Sequence, residues 1–165
     1  MGIIPHPGDK GGFELGVEEF PGNGAAVPGG TAAPPSPDRP IRILLVENHR
    51  VLRSILHQSL ARAGFAVDVC QDGAQALECL QTRSYSLLIT DFSMPRMNGL
   101  DLLRRLREAG SLLPAILITG NPPEDVGRVR ADLRLEAILE KPFSMETLTA
   151  LAERTLGGIS STRTI

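Results

Sequence analysis

The sequence predicts an α/β fold: a doubly wound, five-stranded parallel sheet in the order 2-1-3-4-5, with helices on both faces. Three observations carry the prediction. Five short aliphatic runs of strand length recur between residues 41 and 140, and each is followed by a segment with apolar residues at helical spacing. Glycine, proline and asparagine punctuate the seams between them. Strands that alternate with helices pair through right-handed crossovers, which lay the helices on the two faces of a parallel sheet.

Ile41 to Val46 is a continuous β-branched and aliphatic run, the pattern of a strand buried on both faces. Val51, Leu52, Ile55, Leu56, Leu60 and Ala63 then repeat at helical spacing, and Gly64 suits the left-handed residue that closes a helix. Phe65 to Cys70 is the second strand, and Asp72-Gly73 opens a short helix marked by Ala74, Leu77 and Leu80. Ser86 to Thr90 is the third strand, ending at Asp91; Asn98-Gly99 opens the helix of Leu100, Leu103 and Leu106, which Gly110 closes. Pro114 to Thr119 is the fourth strand, stopped by Gly120-Asn121-Pro122-Pro123. Glu124 to Leu133 makes a weaker helix, because Gly127 and the charges dilute its apolar face. Glu136 to Glu140 is the fifth strand, and Ser144 to Leu156 is the last helix, expected to stop at Gly157-Gly158.

Outside this pattern the composition changes. Residues 1–40 are glycine or proline at 17 positions. Such a segment cannot bury enough apolar surface to offset its ordering entropy, so a disordered, acidic leader is expected there. The folded domain then covers residues 41–156, with a short flexible tail at 157–165. The formal net charge of -2 and the lack of a basic run argue against a surface built to neutralise nucleic-acid phosphates. Arg104, Arg105 and Arg107, and likewise Arg128, Arg130 and Arg134, are interleaved with acids and read as solvated helix faces. No apolar run approaches the roughly 18 residues that span a bilayer, so no membrane partner is expected. Cys70 and Cys79 are too few for a thiolate zinc site or a disulfide framework, and a cytoplasmic protein with two small core or half-exposed thiols is expected. His49 and His57 are expected on a helix surface.

In a sheet of this type the ligand crevice lies beyond the carboxyl ends of the strands. The strand ends carry Glu47-Asn48, Asp91, Thr119 and Lys141. In the expected order the first, third and fourth strands are neighbours, so Glu47, Asp91 and Thr119 should converge, with Lys141 arriving from the fifth strand. Two carboxylates, a hydroxyl and an ammonium around one crevice make an oxygen-ligand cation site beside a nucleophile. An aspartate that accepts a phosphoryl group needs a hard divalent cation and positive donors, because catalysis of that transfer is mostly positioning and charge neutralisation. Asn48 is a candidate N-cap of the first helix as well as a metal contact.

Leu44-Leu45-Val46-Glu47-Asn48, Ile89-Thr90-Asp91-Phe92-Ser93-Met94-Pro95 with Asn98-Gly99, Leu117-Ile118-Thr119-Gly120 and Glu140-Lys141-Pro142-Phe143 stand in that order at strand ends. Together they resemble the receiver domain of two-component response regulators, over roughly residues 41–156. The resemblance implies a CheY-like version of the flavodoxin-like sheet, with Asp91 as phosphoacceptor and Mg²⁺ held by Asp91, by the Ser93 backbone carbonyl and, through water, by Glu47. It implies that Thr119 hydrogen-bonds the phosphoryl oxygen, and that Lys141 pairs with Asp91 and then with its phosphate. It also implies a cis Lys141-Pro142 bond that would aim the lysine inward.

Two positions depart from the family pattern. Asn48 stands where a second acid usually contacts the metal; its side-chain oxygen can still ligate, but one negative charge is missing, so weakened Mg²⁺ binding is expected. Ile138 stands where many members carry a mobile aromatic, so a switch would run through Thr119 and the following loop. The expected function is a phosphorylation-dependent signalling switch. Its donor is a histidine kinase or phosphotransfer protein, and its output is a changed affinity of the fourth helix, fifth strand and fifth helix for a downstream protein. With only nine residues after Leu156, a stand-alone receiver, or a phosphate shuttle or sink in a relay, is expected, and not an enzyme. The alternative is a degenerate receiver that binds proteins without phosphorylation. A nucleotide or flavin enzyme on the same sheet is disfavoured, because no glycine-rich phosphate loop follows the first strand.

Overall fold

The structure, a computed structural model, describes residues 41–161. The leader expected at residues 1–40 and the last four residues of the expected tail lie outside the described residues. Ten elements alternate along the chain: β1 (Arg42–Val46), α1 (Arg50–Arg62), β2 (Ala66–Cys70), α2 (Gly73–Thr82), β3 (Leu87–Asp91), α3 (Gly99–Glu108), β4 (Ala115–Thr119), α4 (Val126–Asp132), β5 (Ala137–Glu140) and α5 (Met145–Ser161). The five strands form one parallel sheet in the order β2-β1-β3-β4-β5, as expected.

Side-chain alternation along the strands separates two cores. Ile43, Leu45, Leu87, Ile89, Ile116 and Ile118 face α1 and α5, where they meet Leu56, Leu60, Leu148, Ala152 and Leu156. Leu44, Val46, Leu88, Ala115 and Leu117 face the other way, onto Ala76 of α2, Leu102, Leu103 and Leu106 of α3, and Leu133 just past α4. Strands apolar on both faces therefore read as unbroken aliphatic runs.

Each helix begins at a side chain that accepts from its orphan N–H groups. Asp72 accepts from Gln75 N, Asn98 from Asp101 N and Asp125 from Arg128 N, each at 2.9 Å. For α1 the cap is His49, whose Nδ1 accepts from Leu52 N at 3.3 Å. This corrects the candidate Asn48 cap by one residue: the turn after β1 is already closed by His49 N donating to Glu47 Oε1. Gly64 and Gly110, the expected helix stops, both sit at positive φ.

The last helix is longer than expected. Gly157-Gly158 does not stop α5, which runs to Ser161. A helical glycine costs about 1 kcal/mol relative to alanine but keeps its backbone donor, unlike proline. Leu148, Ala152 and Leu156 already hold the preceding turns against the sheet, and the helix propagates through the pair. At the weak end, α4 is seven residues long and has no buried residue, as its diluted face foretold.

Candidate functional site

At the carboxyl edge of the sheet, Asp91 is the last residue of β3, Thr119 is the last of β4, and Glu47 and Lys141 directly follow β1 and β5. Asp91 pairs in register with Ile118 and Thr119 with Glu140, which fixes these strand ends side by side. Both carboxylates are buried: Glu47 is 1% and Asp91 3% exposed. Lys141 reaches between them, its Nζ donating to Asp91 Oδ1 at 2.6 Å and to Glu47 Oε2 at 3.3 Å. Among the described residues none donates to Asp91 Oδ2, whereas Glu47 Oε1 is held by His49 N at 2.9 Å.

One ammonium between two carboxylates leaves the crevice with one unit of net negative charge. Burial disfavours the Lys141 ammonium, but the hydrogen bond to Asp91 and the field of Glu47 outweigh that penalty and push its pKa above the ordinary lysine value of 10.5. The lysine therefore stays charged throughout the physiological range. The Lys141-Pro142 bond is cis, as the resemblance implied.

The Thr119 side chain does not join the cluster. It is 1% exposed, and its Oγ1 donates to Asn121 O at 2.9 Å and accepts from Asn121 N at 3.1 Å. The hydroxyl thus closes the turn after β4. Asn48, directly after Glu47, is exposed, and so is Ser93 in the loop after β3. Ile138 is half-buried against the core shared with α3 and α4.

Two cationic contacts were not found from the sequence. Arg53 of α1 donates through Nη1 to Glu47 O at 2.7 Å and Asn48 O at 3.3 Å, bringing a guanidinium to the rim. Its place one turn into the helix after the acidic loop was the available signal. Arg96, in the loop between β3 and α3, pairs with the Asp72 cap of α2, a contact with no local signal. A third tertiary constraint is legible only in part. Gly99 was expected as part of a helix start, but a Cβ there would lie 2.3 Å from the Asp91 carbonyl oxygen, so only glycine lets α3 begin so close to the end of β3.

The donors available to a metal are hard: carboxylate oxygens of Asp91 and Glu47, the Asn48 amide oxygen and the Ser93 main-chain carbonyl. Among the described residues no group of three or more His, Cys, Asp or Glu side chains is placed to cage a metal. Such a set fits Mg²⁺, which is commonly held by one or two carboxylates with water and phosphate oxygens completing its shell.

The model of the response regulator receiver domain matches residues 43–153. The response regulator MprA of Mycobacterium sp. (strain KMS) is 34% identical over 111 residues, covering 67% of this chain and 48% of that protein. The transcriptional regulatory protein TctD of Salmonella typhimurium (strain SL1344) is 38% identical over 111 residues, covering 67% and 49%. The chain thus spans about half the length of the curated relatives it matches. Among solved structures, the signal receiver domain of an HD domain-containing protein from Pseudomonas fluorescens Pf-5 superposes with a TM-score of 0.68 at 27% identity, covering 74% of this chain and 99% of that one. The chemotaxis protein CheY4 of Vibrio cholerae superposes at 0.64 with 25% identity, covering 70% and 98%.

Fold and site together define a receiver of the two-component signalling class. This chain belongs to the response regulator receiver family, whose members are phosphorylated on an aspartate and bind Mg²⁺ at that site. Among the described residues no helix is long and apolar enough to cross a membrane.

Proposed function

We propose that Asp91 is the phosphoacceptor of this receiver, taking a phosphoryl group from the phosphohistidine of a cytoplasmic kinase or phosphotransfer protein. The observation that carries the reading is Lys141 Nζ lying 2.6 Å from Asp91 Oδ1 while Oδ2 accepts from no described residue. The ammonium holds one carboxylate oxygen and leaves the other without a donor among the described residues. Oδ2 attacks phosphorus as the phosphorus–nitrogen bond of the donor breaks, and the imidazole leaves with the bonding pair. Asp91, the Ser93 carbonyl, Asn48 and Glu47 are the residues that would hold Mg²⁺, which would supply charge neutralisation when bound. Lys141 supplies the rest from the β5 side.

Thr119 then acts as the relay. Its hydroxyl leaves Asn121 O and donates to a phosphoryl oxygen, which frees the turn after β4 and the start of α4. The surface of α4, β5 and α5 changes its affinity for a downstream protein, by an order–disorder or shift mechanism of the kind that phosphate-gated loops use. The chemistry is limited to self-phosphorylation and dephosphorylation, so the domain works as a switch and not as an enzyme. No nucleic-acid contact by residues 41–161 is included, since α4 pairs Arg128 with Asp132 on its own surface. The proposal concerns the receiver unit of a family whose curated relatives are about twice its length.

Asn48 favours a second reading, a receiver that binds proteins without phosphorylation. Incubation with acetyl phosphate and Mg²⁺ followed by intact-mass measurement separates the two. Addition of one phosphoryl group to the wild type, absent in Asp91→Asn, supports the switch; an unchanged wild-type mass supports the binding module.

A further inference from the structure

Asp72 is a carboxylate that the phosphoryl chemistry does not touch, yet it is 6% exposed. Its two oxygens have separate tasks. Oδ1 accepts from Gln75 N and caps α2, while Oδ2 receives the Arg96 guanidinium. Arg96 holds φ at 67°, the left-handed region that non-glycine residues occupy at a cost. Arg96 lies in the loop Phe92–Asn98 that leads from Asp91 to α3, 24 residues from its partner. The next residue is locked to the same place: the Met97 sulfur sits 2.7 Å from where a Cβ on Gly73 would stand. The first turn of α2 and residues 96–97 therefore form one packed joint.

The other end of that loop is pinned at the sheet. Phe92 N donates to Ile118 O at 2.7 Å, and Phe92 O accepts from Met94 N at 3.2 Å and from Gly99 N at 3.0 Å. Ser93 lies between the two anchors. Its main-chain carbonyl has no side chain to steer it, so its direction is set by what fixes the loop on either side.

We infer that the Asp72–Arg96 ion pair is a positioning device for metal binding: it holds the loop after β3 so that the Ser93 carbonyl is aimed at Mg²⁺. This rests on the metal role given to Ser93 in the proposed function. Both residues are positioning residues, because neither touches the metal or the phosphoryl group.

The test is Mg²⁺ titration of the backbone amides of residues 41–161 by ¹⁵N NMR in the 165-residue chain, with no phosphodonor present. Arg96→Ala is expected to weaken Mg²⁺ binding about fivefold, equivalent to about 1 kcal/mol, the upper end of what a partly exposed ion pair transmits. Asp72→Asn is the discriminating variant, since asparagine caps a helix as well as aspartate does and only the ion pair loses its charge. It should weaken binding to the same degree while α2 amide shifts stay in place. Because the two residues act as one joint, the double variant should be no weaker than either single one, and Arg96→Lys should restore most of the affinity. A purely structural pair would lower the melting temperature and leave Mg²⁺ affinity unchanged; that result, in both single variants, overturns the inference. Acetyl phosphate is added afterwards to keep the two readings apart. A wild type that binds Mg²⁺ with the expected variant pattern but takes no phosphoryl group overturns the proposed function and supports the positioning role; a wild type that binds no Mg²⁺ overturns both.

Discussion

Replacing Asn48 by aspartate restores a third carboxylate to a crevice that now holds two carboxylates and one ammonium. Asn48 is exposed, so a water-like dielectric applies to its interaction with the metal. Charges of +2 and -1 about 4 Å apart then interact by about 2 kcal/mol, or about 30-fold in affinity. At physiological salt the Debye length is about 8 Å, which trims the interaction by about 40% to roughly 1.2 kcal/mol, or about eightfold. Asn48→Asp should therefore bind Mg²⁺ more tightly than the wild type by about 30-fold at low salt and about eightfold at 0.15 M. The chain has no tryptophan and one tyrosine, so calorimetry or NMR is the suitable assay. Wild-type affinity equal to that of Asn48→Asp would refute the electrostatic reasoning. A large difference that ignores salt would refute it too, by pointing to the geometry of the ligand and not its charge.

Further outcomes rest on the packing. Gly99→Ala should destabilise the fold by about 1–3 kcal/mol in urea unfolding, because the new Cβ meets the Asp91 carbonyl oxygen and not a side chain that could swing away. Arg107→Ala should cost about 2–3 kcal/mol, since the guanidinium donates to Leu133 O at 2.8 Å and to Ser111 O and Leu113 O at 2.9 Å; hydrogen exchange should rise first at the end of α4. Unfolding free energy should hold up to about pH 9 and fall as pH rises further. Burial and the hydrogen bond to Cys79 raise the Cys70 thiol above 9.0, burial and Asp68 raise the Tyr85 phenol above 10.0, and Lys141 lies above 10.5 despite its burial. Each group keeps its proton longer when folded, so stability is complete below the unfolded pKa values and is lost as pH climbs through the folded ones. Tyr85→Phe should make that alkaline decline shallower while costing about 1 kcal/mol at neutral pH, from the lost hydrogen bond to Asp68 at 2.9 Å.

The sheet was legible because its three central strands are apolar on both faces: Ile43 and Leu45 serve one core, Leu44 and Val46 the other. The site was legible because strand ends in such a sheet converge, which placed Glu47, Asp91 and Lys141 before any distance was known. What escaped depends on a single side-chain direction or a contact between distant segments. Nothing local tells whether Thr119 turns towards Asp91 or, as found, closes the turn at Asn121. Cys70 and Cys79, nine residues apart, were expected as small core or half-exposed thiols with no stated contact, and their sulfurs lie 3.4 Å from each other because the Asp72 turn folds α2 directly over the end of β2. Gly157-Gly158 misled because glycine weakens a helix without removing a hydrogen-bond donor, and packing upstream decided the outcome.

The most direct measurement is chemical localisation of the phosphoryl group. After treatment with acetyl phosphate and Mg²⁺, borohydride reduces an aspartyl phosphate to the corresponding alcohol, and peptide mass spectrometry reads which residue was converted. Conversion at Asp91 alone, abolished by Asp91→Asn and strongly reduced by Lys141→Ala, is the expected result. Conversion at Glu47 or another acid, or none in a protein that binds Mg²⁺, would contradict the account.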